Sequence, residues 1–110
     1  MVGDVVITDS VVLEAGQNLT AGSVLGRVTE TGKYKLSALK DADGNAIDDG
    51  SQVPSAVLLV DVDATDADKN APVLVLGEVD EGELNYDASW DVASLKFELR
   101  KMSIFVKQSI

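Results

Sequence analysis

The sequence predicts a mainly-β domain with one short C-terminal α-helix. Three observations lead there. Short runs rich in valine and leucine alternate with clusters of Gly, Asp, Asn and Thr along most of the chain. The stretch Glu14 to Tyr34, "EAGQNLTAGSVLGRVTETGKY", spaces glycines at 16, 22, 26 and 32 and leaves no run long enough for a helix. Only from Asp87 onward do apolar residues recur at helical spacing. The 110 residues are the usual size of one domain. Nothing repeats and no linker divides the chain.

Residues 5 to 13, "VVITDSVVL", read as strand, turn, strand around Asp9-Ser10. "AGQNLTAG" reads as a loop anchored by Leu19. "SVLGRVTE" alternates as a strand, and its interior Gly26 predicts a bulge or a close backbone approach. A turn at Thr31-Gly32 then leads into a strand through Tyr34 and Leu36, making a hairpin with the preceding one. Residues 40 to 52, "KDADGNAIDDGSQ", read as a surface loop. "SAVLLVDV" is a nearly continuous apolar run and reads as one buried strand. "DATDADKNA" is a polar loop. "PVLVLGEV" is a second buried strand, opened by Pro72. Ser89 is the expected helix cap, with Asp91 in the first turn. Val92, Leu95, Leu99 and Met102 give the apolar stripe, and Arg100 and Lys101 suit the negative end of the dipole. "SIFVK" closes the chain as a strand.

Composition narrows the function. The net charge is -10, from 19 acidic and 9 basic residues. Such a surface repels phosphate backbones and anionic membranes, so neither nucleic acid nor membrane is an expected partner. There is no cysteine and no histidine. Disulfides, thiolate metal sites, thiol catalysis and a Ser-His-Asp relay are therefore excluded. No apolar run approaches the ~20 residues of a membrane span, and "MVGDVVITDS" lacks the basic start and apolar core of a signal peptide.

Two motifs invite a ligand reading. In "DADGNAIDDG", Asp41, Asp43 and Asn45 fit the first three positions of an EF-hand loop, but Ala46 and Gln52 fail the glycine and glutamate positions. "DVDATDADK" fails in the same way, with Asp66 and Pro72 at those positions. No metal or other cofactor is expected. "AGQNLTAGSVLGRV" followed by "DADK" resembles the hammerhead and lysine turn of lipoyl and biotinyl carrier domains. Lys69, however, lies far downstream of its hammerhead, beyond a long acidic loop. No GxGxxG or P-loop lysine occurs, so the chain is not expected to be an enzyme. Trp90 and Phe97 stand seven apart and share a helical face other than that of Val92, Leu95 and Leu99. Both faces can lie in one wide core stripe, or the aromatic pair can meet a neighbouring chain as a subunit interface.

The ordered set "AGQNLTAGSVLGRV", "TGKY", "DGSQVPSAVL", "DVDAT", "GEV", "LRK" and "IFV", from about Glu14 to Val106, resembles the lambda-type head decoration, or capsid cement, proteins of tailed bacteriophages. The resemblance implies a small β-rich, β-tulip-like fold with a short helix. It implies a virion protein, assembled in the host cytoplasm, that forms a homotrimer on the outer surface of the expanded capsid. There it would bind the major capsid protein at three-fold sites and hold the head against DNA pressure. A carrier domain of the lipoyl or biotinyl type, or another small binding module, is the alternative. The family's N-terminal arm contacts the shell. Here residues 1–13 form a short arm, residues 14–110 form the decoration domain, and Val2, Gly3, Asp4, Val5, Val6 and Ile7 are the expected docking strand. Ser103 stands where the family often has a glycine to end the helix, and Ser55-Ala56 replaces a pair that usually contains glycine.

Overall fold

A computed structural model describes residues 7–102 and 104–107. Its strands are β1 (Ile7–Leu13), β2 (Gln17–Leu19), β3 (Val24–Arg27), β4 (Tyr34–Leu36), β5 (Pro54–Leu58), β6 (Val62–Ala64), β7 (Lys69–Asp80) and β8 (Ile104–Lys107). One α-helix, α1 (Val92–Lys101), precedes β8. The mainly-β architecture with a single late helix is the one the sequence predicts.

The strands close on themselves. The main sheet runs β1-β4-β3-β5-β7-β8, and β1 also pairs with β7. Five strands therefore form a ring, a small barrel, with β8 added along the last residues of β7. The predicted hairpin is there: Leu25 faces Leu36 and Arg27 faces Tyr34. Gly32 makes its turn with a φ of 74°. Gly26 meets the backbone closely, as expected. The β3–β5 register shifts between Leu25 and Gly26, and a Cβ at Gly26 would lie 2.0 Å from the Ser51 carbonyl oxygen.

Central strands are buried on both faces, which explains their continuous apolar runs. Alternate residues serve two cores. Leu13, Leu25, Ala56, Leu58, Ala71 and Val73 pack together with Tyr34 against them, so every strand of the ring contributes to its interior. Three alanines (Ala56, Ala64, Ala71) belong to this cluster, as the narrow bore of a five-stranded closure requires. The opposite faces carry Val24, Val57 and Leu74, covered by Leu84, Trp90, Ile104 and the helix residues Leu95 and Leu99.

Several local expectations are corrected. Asp9 and Ser10 make no turn; they lie inside β1, opposite Val73 and Pro72 of β7. The ladder to β7 overrides their turn preference, because both side chains face solvent. The run "SAVLLVDV" divides into β5 and β6, with Leu59 to Asp61 between them. β6 leaves the ring to pair with β2, so the segment around Leu19 is a strand and not a loop. Pro72 does not open its strand but sits within β7, which begins at Lys69; its carbonyl accepts from the Leu59 N–H at 3.1 Å. The helix cap is Asp91, whose Oδ1 accepts from the Ser94 N–H at 2.8 Å. Ser89 is held by Asp87, and its Oγ accepts from the Leu39 N–H at 2.8 Å. It ties a loop to the helix approach. The Ser103 helix end lies outside the described residues.

Candidate interaction surfaces

Chemistry has little to work with. Among the described residues no group of three or more acidic side chains is placed to hold a metal. In the "DADGNAIDDG" loop, the Asp41 carboxylate accepts from the backbone of Asp43 and Asn45, both at 2.9 Å. It braces a turn. Lys69 is the first residue of β7, in register with Leu13, and does not stand at the tip of a hairpin as a carrier lysine does. No helix among the described residues is long and apolar enough to cross a membrane.

Two surfaces remain. The first is the start of β1. Residues Ile7–Ser10 are all exposed, and Ile7 shows 48% of its surface. One edge of β1 pairs with β7 along its length, while the pairing to β4 touches only Leu13. The other edge from Ile7 to Val12 therefore has no strand partner among the described residues. Of the expected docking strand, Val2, Gly3, Asp4, Val5 and Val6 lie outside the described residues. Ile7 is the first residue of β1. Residues 7–13 of the expected arm are thus sheet, paired to β7.

The second is the outer face of α1. The helix forms here because Asp91 caps it, Leu95 and Leu99 bury one side, and Arg100 and Lys101 close its last turn. Phe97 points the other way and is 61% exposed. The Lys101 ammonium sits 4.7 Å from its ring centroid and pairs with Glu98 at 3.2 Å. The ammonium thus makes a cation–π contact with the exposed ring. A shallow groove beside it is lined by Leu39, Val53, Trp90 and Ala93. On its other side lie Lys96, Arg100 and Phe105.

The aromatic pair divides its labour. Trp90 precedes the helix, is 7% exposed and belongs to the core beneath α1. Its indole edges the same groove that Phe97 overhangs. Sequence reasoning missed Leu39, Val53 and Phe105, which are remote in sequence and joined only by the fold. The sequence carried no signal for them, because the exposure of Phe105 and the approach of Leu39 and Val53 to the helix are set by the fold.

Fixed negative charge also shapes the loops. Asp49 pairs with Lys35 at 2.8 Å. That contact first, and the Ser51 hydroxyl second, hold its carboxyl at about 2. Asp68 is lowered by Lys33, at 2.8 Å, and by the Ala15 N–H.

The family model described as bacteriophage lambda head decoration protein D matches residues 3–100. No curated protein matches the chain.

Proposed function

Because the chain belongs to the bacteriophage lambda head decoration protein D family, we propose that it is a cement protein of the virion. It binds the outer surface of the expanded head at three-fold sites, as a homotrimer, and stabilises the head against the pressure of packaged DNA. Its partner is the major capsid protein. Its role is structural and needs no cofactor. Assembly takes place in the host cytoplasm.

The observation that carries this reading is the family match over nearly the whole chain, from residue 3 to residue 100. The surfaces agree with it. A strand that enters at Ile7 with an open edge suits addition of backbone to another sheet, with Val2 to Ile7 as the docking segment. Residues 1–13 then act as the arm and 14–110 as the body, with β1, the second half of the arm, built into the barrel wall. Trp90 and Phe97 contribute to the subunit interface, Phe97 by contact and Trp90 by supporting the groove floor.

Co-sedimentation tests the proposal. The protein is mixed with expanded and unexpanded heads of the phage that encodes it, and the heads are pelleted. Saturable binding to expanded heads alone is the expected result. Absence of binding to expanded heads would overturn it.

A further inference from the structure

Charge is distributed unevenly along the chain. Residues 96–107 hold four of the nine basic residues and one of the nineteen acidic ones. That segment is the second half of α1 together with β8. It carries the two most exposed aromatics, Phe97 at 61% and Phe105 at 46%, with Arg100 between them. Arg100 is exposed and has no hydrogen bond or ion pair from its side chain among the described residues.

A second surface has the opposite character. The single helical turn Glu81–Glu83 follows β7 and overlooks the loop at Ala21-Gly22. Between them lies a groove of about 690 Å³. Its floor is apolar, from Leu59, Leu74, Val79 and Leu84, and Asp80 and Glu83 stand on its rim. Leu59 is 40% exposed there, and its neighbour Val60 is 47% exposed. The backbone of this groove is fixed. Gly22 has a φ of 93° and abuts the Glu83 carbonyl, so no side chain fits at that position. The groove and the helix face share no lining residue but border each other within one copy, where Lys96 pairs with Glu81 at 2.9 Å and Val79 lies in register with Val106 of β8. Arg100 on one side and Glu83 on the other are left with no side-chain ion pair among the described residues.

The two surfaces complement each other in both charge and apolarity. We infer that copies of this chain associate head to tail, the Phe97–Arg100–Phe105 face of one seated on the Asp80/Glu83-rimmed groove of the next. A two-fold contact through the helix face would set Arg100 and Lys101 against their own copies, and like charges repel. A head-to-tail contact sets them against carboxylates. Such a contact is heterologous, and it closes only as a ring of at least three copies. The inference rests on the homotrimer reading above and adds to it the pair of faces that build the ring.

Charge reversal tests it in the full-length chain. Arg100→Glu and Glu83→Lys are made singly and together, and assembly is followed by sedimentation, both free and on expanded heads. Both side chains are exposed, so thermal melts should stay at the wild-type temperature. Each single reversal should raise the concentration needed for assembly by ~10-fold or more. The combination should return it to within ~3-fold of wild type, because the pair has swapped charge across one contact. Should a reversal misfold, Arg100→Gln and Glu83→Gln serve instead, each giving a smaller loss of the same sign. Singles that assemble like wild type, or a combination as weak as the singles, would overturn the pairing and leave the trimer standing. A wild-type chain found as single copies both free and on heads would remove the trimer and the pairing together.

Discussion

Two buried serines show how differently one residue type can act. Ser37 and Ser51 are both fully buried. The Ser51 hydroxyl donates to Asp49, which in turn pairs with Lys35. The Ser37 hydroxyl has no partner among the described residues. Ser37→Ala should therefore be neutral or stabilising, since it removes a desolvated polar group that gains nothing. Ser51→Ala should cost ~1–3 kcal/mol, by leaving its carboxylate neighbour short of a donor. Urea titration of the two variants separates them. The same loop sets a pH dependence. Asp49 titrates at about 2 in the folded chain, below its ordinary 3.8. Its contribution is present above that ordinary value and is lost as pH falls from about 4 towards 2. With its side chain 37% exposed, the contribution is under ~1 kcal/mol. Asp49→Asn should flatten that part of the acid-unfolding curve, and a curve of unchanged slope would refute the linkage. Gly26→Ala is the severe case. Its Cβ would fall 2.0 Å from a backbone oxygen, and overpacking against backbone should cost about 3 kcal/mol or more.

Among the elements, those with strong local signals were legible in the sequence. The β3–β4 hairpin was marked by Gly32, β7 by its valine run, and α1 by Leu95 and Leu99. What escaped was set by partners distant in the chain. The Asp9-Ser10 pair looks like a turn until β7 supplies a ladder for it. The break at Leu59 to Asp61 falls inside an apolar run and exists because β6 turns away to reach β2. The helix face followed the same rule. Position 97 was visible as off the core stripe, but the Leu39 and Val53 that complete its groove come from loops. Phe97→Ala tests the separation of fold from function on this element. At 61% exposure, it should cost the isolated fold no more than ~1 kcal/mol, including its contact with Lys101. Leu99→Ala, fully buried on the same helix, should cost ~2–5 kcal/mol. Melts of both, beside sedimentation of Phe97→Ala, should show assembly lost where stability is kept. The arm is tested in the same spirit. Deleting residues 2–6 leaves all of β1 in place, so the domain should fold and fail to decorate heads. Decoration at wild-type occupancy would move docking to the body of the barrel.

For the whole molecule, the closure of five strands into a ring and the asymmetry of its charge matter most. A small barrel has a high ratio of surface to volume and gains stability from association. Its net charge of -10 favours solubility, and the proposed head-to-tail contact would use the basic helix face to receive another copy. In the proposed docking, each arm would supply only a few backbone bonds of ~0.5–1.5 kcal/mol net. Three arms on one ring would multiply a weak contact into a firm one. Weak single contacts joined by trimer avidity are thus the physical basis proposed for binding to the head. Cryo-electron microscopy of expanded heads, decorated to saturation with this protein, tests that basis most directly. The predicted map has density on the outer surface, grouped in threes about every three-fold and quasi-three-fold axis. A map with the protein as isolated single copies, or at positions away from those axes, would contradict it.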